Sequence, residues 1–236
     1  LNQLSWIIAF LPGLLWLWFV YKKDRYEPEP VIWVIIVFFA GALVTIPTAL
    51  IEKSLSSSMG LHMIGSSADA AKASWIVAGI VEEAAKLAVV IIIMWKRDGF
   101  NEPMDGLVYA AAASLGFASA ESIVRIKHYG AMVVLFRGPM AVLGHMLFSS
   151  MWGYALGRAK FEPQRRLSLL AKGFVLAAFF HGLYNFLIFT RVIASIALYI
   201  LTALLWNMLA RMVDDAEKRS PFAPTTEKKK YGLEEF

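Results

Sequence analysis

Apolar residues run through the chain in seven long blocks, separated by short stretches rich in charge, Pro, Gly or Ser. The blocks are 4–21, 31–51, 75–95, 106–124, 131–156, 169–190 and 192–212. Each is roughly 18 to 25 residues long, the length a helix needs to cross the hydrocarbon core of a bilayer. The pattern predicts an all-α, polytopic membrane helix bundle with seven transmembrane helices. Arg137-Gly138-Pro139 interrupts the fifth block. Pro suits the first turn of a helix, so this span is expected to begin near Pro139, with an extra interfacial helix before it. The first block lacks a basic n-region and a small-residue cleavage site, so it reads as a retained helix. Segment 52–74 is rich in Ser, Gly and Ala, and reads as an outer loop with room for a short surface helix. Residues 1–213 form one membrane-embedded domain without internal repeats. Residues 214–236 are charged and Pro-interrupted, and are expected to be a flexible cytoplasmic tail.

Composition agrees with lipid as the solvent. Of 236 residues, 58% are hydrophobic and 17% charged, whereas soluble domains run near half apolar and about a quarter charged. The net charge of +5 would suggest nucleic acid in a soluble protein. Here the basic residues fall in loops, so the expected partner is the bilayer and not nucleic acid. With the N-terminus outside, inner segments hold Lys22, Lys23, Arg25, Lys96, Arg97, Arg158, Lys160, Arg165, Arg166, Lys172 and six basic residues of the tail. Outer segments hold Lys53, Lys72, Arg125, Lys127 and Arg191. Sixteen against five predicts N-out and C-in by the positive-inside rule. The chain has no cysteine, which removes disulfides, thiolate metal sites and a cysteine nucleophile.

Against this background the ionisable residues within spans stand out, because charge in a membrane is costly and is a functional hypothesis by default. The third span carries Glu82, Glu83 and Lys86 in VEEAAKL, and the fourth carries Glu121. The fifth carries His145; the sixth carries His181 and Asn185. Glu82 and Lys86 share a helix face at i,i+4, as do His181 and Asn185. Counting 1.5 Å per residue from the outer ends puts Glu82, His145 and His181 roughly 9 to 13 Å deep, with Glu121 within a turn of its outer end. Four helices thus place carboxylates or imidazoles at one level. The fourth span is rich in Gly, Ala and Ser, which lets helices approach closely in lipid.

Two imidazoles and several carboxylates can hold a zinc ion with a carboxylate base nearby. Alternatively, a glutamate can activate water directly while His and Asn polarise a carbonyl. Both lead to hydrolysis of an amide or ester. HExxH, GxGD, and GxSG with a histidine partner are absent. Plainer roles compete: Glu82–Lys86 as a structural ion pair, Glu83 as a support for its neighbour, Glu121–Arg125 as an interfacial pair. His145 and His181 can each be read as core histidines, and Asn185 as interhelical glue. His62, His128 and the lysine run 228–230 read as solvated, and Tyr21, Trp75 and Trp95 as interface anchors.

At these residues the chain closely resembles the PrsW family of bacterial membrane proteases, within the superfamily of CAAX prenyl proteases and bacteriocin-immunity proteins. The resemblance covers nearly the whole chain. YKKDRYEPEP looks like the family's segment after the first helix. VEEAAKL matches an EExxK motif at Glu82, Glu83 and Lys86. MDGLVYAAAASLGFASAES matches a DGxxY and FxxxE stretch at Asp105, Gly106, Phe117 and Glu121. GHMLFSSMWGYALGRAKF carries His145, and FFHGLYNF carries His181 and Asn185. Family members often have Asn after the FxxxE glutamate; Ser122 stands there in this chain.

The resemblance implies a membrane-embedded endopeptidase of a bacterial cytoplasmic membrane. Its substrate would be a membrane-anchored protein, an anti-sigma factor that receives its first, extracytoplasmic cut. The expected roles follow. Glu82 or Glu83 is the general base. Glu121, His145 and His181 bind zinc or, without metal, position water and the oxyanion. Asn185 donates to the oxyanion or holds His181, and Lys86 holds the glutamate pair. The competing reading is a transporter or proton relay using the same groups. Such proteins often show inverted repeats and broken helices. A third is a binding protein on the protease fold that has lost catalysis.

Overall fold

A computed structural model describes residues 2–61, 64–190 and 194–224. His62, Arg191 and the lysine run 228–230 lie outside the described residues, so the expectations attached to them are not addressed. All regular structure among the described residues is helical. In chain order the helices are α1 (Gln3–Tyr21), α2 (Val31–Ser58), α3 (Ser67–Ala71), a π-helical segment (Lys72–Ile80), α4 (Val81–Met94), α5 (Pro103–Tyr129), α6 (Ala131–Phe161), a 3-10 turn (Pro163–Arg165), α7 (Arg166–Thr190) and α8 (Ala194–Lys218).

Among the described residues, five helices are long and apolar enough to cross a membrane: Gln3–Tyr21, Val31–Ser58, Pro103–Tyr129, Pro163–Thr190 and Ile196–Lys218. The chain is a multi-pass membrane protein. The third expected span is not among them, because it is split between π and α geometry and carries Glu82, Glu83 and Lys86. The fifth is covered by α6, which turns His145, Ser149 and Ser150 into the bundle. The outer helices show the reverse pattern. Leu43, Ile46, Leu50, Ile92 and Leu167 are exposed, which in water would be a sticky surface and in lipid is the solvent-facing one.

α5 is the interior helix. Most of its residues are buried, and it touches α1, α2, α4, α6 and α8. Its small residues make this possible. A Cβ on Gly106 would collide with the backbone of Gly153 and Gly157 on α6. Without a water-driven hydrophobic effect between helices, such close backbone packing is a main source of association in lipid. α5 and α6 are joined only by Gly130, whose φ of +86 is one that glycine adopts without steric cost. They form an antiparallel hairpin that faces Glu121 with His145.

Several boundaries differ from the sequence reading. The break expected at Pro139 is absent. α6 is one helix from Ala131 to Phe161 with Pro139 inside it, because Pro removes a single backbone bond and the surrounding turns supply the rest. Segment 52–74 is less of a loop than expected, since α2 continues to Ser58 and α3 runs directly into the π segment. α8 continues to Lys218, and Ser220 and Ala223 beyond it are buried.

Candidate active site

The third expected span meets the site through an irregularity. Nine residues of π-helix, Lys72–Ile80, precede Val81. π turns are uncommon and recur at functional sites because they rotate the residues that follow. Trp75, expected as an interface anchor, bonds its indole N–H to the Phe179 carbonyl at 3.1 Å. That contact ties the π segment to α7 two residues before His181. Glu82, Glu83 and Lys86 then enter the bundle from the first turns of α4, and all three are buried.

Glu83 is the hub. Its Oε1 accepts from Lys86 Nζ at 2.9 Å and faces His181 Nδ1 at 2.9 Å. Its Oε2 accepts from Ser149 Oγ at 2.7 Å and from the Trp152 indole at 2.9 Å. Four bonds saturate both oxygens, so Glu83 is held as a carboxylate with no lone pair left to take a proton from water. Glu82 is freer. Its Oε2 accepts from Lys86 Nζ at 3.1 Å and lies 3.7 Å from both His145 Nδ1 and His181 Nε2.

The ring nitrogens follow from their partners. Lys86 Nζ has only donors and lies 2.9 Å from His145 Nδ1, so Nδ1 accepts. The other nitrogen of that ring, Nε2, lies 2.9 Å from Glu121 Oε2 and donates to it. In His181, Nδ1 donates to Glu83, leaving the lone pair of Nε2 toward Glu82. Each imidazole is therefore oriented by a carboxylate behind it and turns its other nitrogen toward Glu82, that of His145 accepting from Lys86 as well. The His145 and His181 rings are 5.0 Å apart, and Phe148 stacks on His181 at 5.0 Å. Phe117 lies under Lys86 Nζ at 4.4 Å, a cation–π contact. Glu121 also pairs with Arg125 at 3.4 Å.

Six of the seven expected site residues thus meet in one cluster: Glu82, Glu83, Lys86, Glu121, His145 and His181. Asn185 is half-buried, one turn beyond His181, and among the described residues makes no hydrogen bond to the cluster. Ser122 bonds back to the Ala118 carbonyl of its own helix at 2.8 Å and has no part in the site. Three participants escaped the sequence reading. Ser149 and Trp152 follow His145 at i+4 and i+7 on one face of α6, a spacing that would have pointed to them. Glu52, assigned to a loop, sits on α2, where Glu82, Glu121 and Lys86 are close enough to act on its charge.

The donor set fits a metal ion. Ligand atoms of Glu82, His145 and His181 all lie within 4.8 Å of one another. The 3.7 Å separations are a few tenths beyond the roughly 3.3–3.6 Å between ligands of a tetrahedral zinc. The carboxylate behind each imidazole is the usual support of a metal-binding histidine. Glu121 touches His145 through the nitrogen that faces away from this trio.

A lipid-facing helix bundle around a buried centre of two imidazoles and several carboxylates defines a multi-pass membrane protein with a potential metal centre. Comparison with known proteins narrows the class. A family model described as PrsW family intramembrane metalloprotease matches residues 29–210, and the chain belongs to that family. It is 33% identical over 206 residues to a "Protease PrsW" of Geobacillus kaustophilus, covering 87% of this chain and 89% of the relative. It is 28% identical to a Clostridioides difficile protein of that name, covering 86% and 87%. It is 31% identical to one from Bacillus subtilis, covering 75% and 79%. No solved structure gives a significant match. The chain is accordingly a membrane-embedded peptidase, which sets aside the transporter and lost-catalysis readings.

Proposed function

We propose that this peptidase hydrolyses a peptide bond of a membrane-anchored protein near the extracytoplasmic face of a bacterial cytoplasmic membrane. Zinc would be held by Glu82, His145 and His181. When bound, the ion would supply Lewis acidity, lowering the pKa of water and polarising the scissile carbonyl. The observation that carries this reading is the convergence of Glu82, His145 and His181 ligand atoms within 4.8 Å of one another, with a carboxylate behind each imidazole; the ion would take over the bonds that Lys86 now makes to Glu82 and His145.

The chain's own groups divide the remaining work. Glu83 and Glu121 fix the ring orientations. Lys86 stands among Glu82, Glu83 and His145 and balances their charge. Among Glu82, Glu83 and Glu121, the last has the most exposed side chain, 24% against 6% and 0%, and it is the proton acceptor we favour. Asn185 is left as a group that could meet the substrate carbonyl. The sidedness rests on the sixteen-to-five distribution of basic residues. The substrate class rests on the family resemblance, which points to an anti-sigma factor.

The test is cleavage of a single-span reporter co-expressed with the peptidase. Glu82→Gln, His145→Ala and His181→Ala should each lower cleavage by on the order of a thousandfold, with the protein still folded by size-exclusion chromatography. Full activity in all three variants would overturn the reading.

A further inference from the structure

The other end of α5 holds a second buried polar group that peptide hydrolysis does not use. Asp105 lies in the first turn of α5, and Glu121 sits 16 residues further on, roughly 24 Å along the axis. Around Asp105 gather Glu102, at the N-terminal boundary of α5, with Asp24 and Glu29 from the segment linking α1 to α2. All four are buried, with relative exposures of 0%, 1%, 4% and 3%.

Part of this group is held in place by hydrogen bonds. Asp105 Oδ2 accepts from the backbone N–H of Asn101 at 2.6 Å and of Glu102 at 2.8 Å. Asp24 Oδ2 accepts from the Glu29 N–H at 3.1 Å. Glu29 Oε2 accepts from the Tyr109 hydroxyl at 2.5 Å. The other oxygens of three carboxylates, Asp24 Oδ1, Glu102 Oε2 and Asp105 Oδ1, are buried with no N–H or hydroxyl donor on them, and only a proton shared between carboxyls such as Asp24 and Glu102 would join them. A buried polar atom left unpaired costs free energy and requires an explanation.

No base supplies one. Arg25, next to Asp24, pairs with Glu217 at 3.2 Å. The charged groups acting on Asp24, Glu29 and Glu102 are other carboxylates, Glu27 among them. Burial, with these like charges adding to it, pushes Asp24 up to about 6, Glu29 to about 7 and Glu102 to about 8.

The spacing supplies the alternative. One oxygen each of Asp24, Glu102 and Asp105 lies within 4.8 Å of the other two. Oxygens bound to one Ca²⁺ at 2.3–2.6 Å can be at most about 5 Å apart. The set contains only oxygen, which selects a hard cation over zinc or copper. We propose that Asp24, Glu102 and Asp105 bind one hard divalent cation, Ca²⁺ or Mg²⁺, which clamps the α1–α2 segment onto the start of α5. The site is separate from the peptidase centre and does not depend on the function assigned there.

The experiment uses the full chain, purified in detergent and stripped with chelator. Ca²⁺ and Mg²⁺ are then added separately, read by calcium-45 equilibrium dialysis and by thermal unfolding. The wild type should bind about one Ca²⁺ per chain, and one of the two ions should raise Tm by about 5 °C at saturation. Asp24→Asn alone and together with Glu102→Gln should abolish both signals. His145→Ala should keep both, which separates this site from the peptidase centre. A wild type without bound cation or shift overturns the proposal. So does an undiminished signal in both acidic-cluster variants, or one lost in His145→Ala.

Discussion

Glu121 and Asp105 stand on one helix, both turned into the protein, and they differ in company. Around Glu121 the carboxylates of Glu82, Glu83 and Glu121 each have a basic partner. Arg125 pairs with Glu121 itself, Lys86 reaches Glu82 and Glu83, and two imidazoles join them. Around Asp105 there are further carboxylates and unpaired oxygens. Buried charge persists only when it is paired or neutralised. The peptidase centre carries part of its compensation in its own side chains, whereas the second cluster must obtain it from protons or from an ion. The same burial therefore makes a pre-organised reaction centre at one end and a ligand-dependent joint at the other.

That contrast can be broken most forcefully at Lys86. Its replacement by Met leaves Glu82 and Glu83 buried without their cation, and breaking a buried pair costs about 3–5 kcal/mol. The expected result is a large drop in Tm or loss of folded protein. Adding Glu83→Gln should restore part of it, since the two effects are coupled. A Lys86→Met protein as stable as wild type would show that the cluster is not balanced by this residue.

A smaller effect is expected at the far side of Glu83. Ser149→Ala or Trp152→Phe removes one hydrogen bond to a buried carboxylate, a loss of about 1–3 kcal/mol. Cleavage should fall with stability, because Glu83 orients His181. Combined, the two changes should exceed either alone. Unchanged cleavage in the double variant would remove Glu83 from its role as hub.

The smallest expected effect has the opposite sign. In chelated protein, Asp24→Asn removes a like charge while its amide oxygen can still accept from the Glu29 N–H. Thermal unfolding should show it equal to wild type or more stable by about 1 kcal/mol. Clear destabilisation without cation would mean that the Asp24 charge is already compensated within the protein.

The apolar blocks were legible because lipid demands helices of a minimum length, and charge inside such a block is conspicuous. That is why Glu82, Glu83, Lys86, Glu121, His145 and His181 could be singled out before their contacts were known. Ser149 and Trp152 were not, since a serine or tryptophan is unremarkable within a span and only its register with His145 betrays it. Glu52 was hidden by a boundary rule. A charge at the end of an apolar run normally marks the loop, but α2 runs on to Ser58. Asp24, Glu29 and Glu102 resemble ordinary loop charges for a related reason. Periodicity cannot reveal that a connecting segment folds back into the bundle, which only tertiary packing decides. The π segment before Val81 and the unbroken α6 at Pro139 are likewise local geometries imposed by neighbouring helices.

The most direct test of the central claim is elemental analysis of the purified peptidase beside His145→Ala and His181→Ala, each sample also assayed for reporter cleavage. The account predicts about one zinc per chain in the wild type, with zinc and cleavage lost together in both variants. A fully active wild type that carries no stoichiometric metal would contradict it and leave a glutamate-activated water as the chemistry of this site.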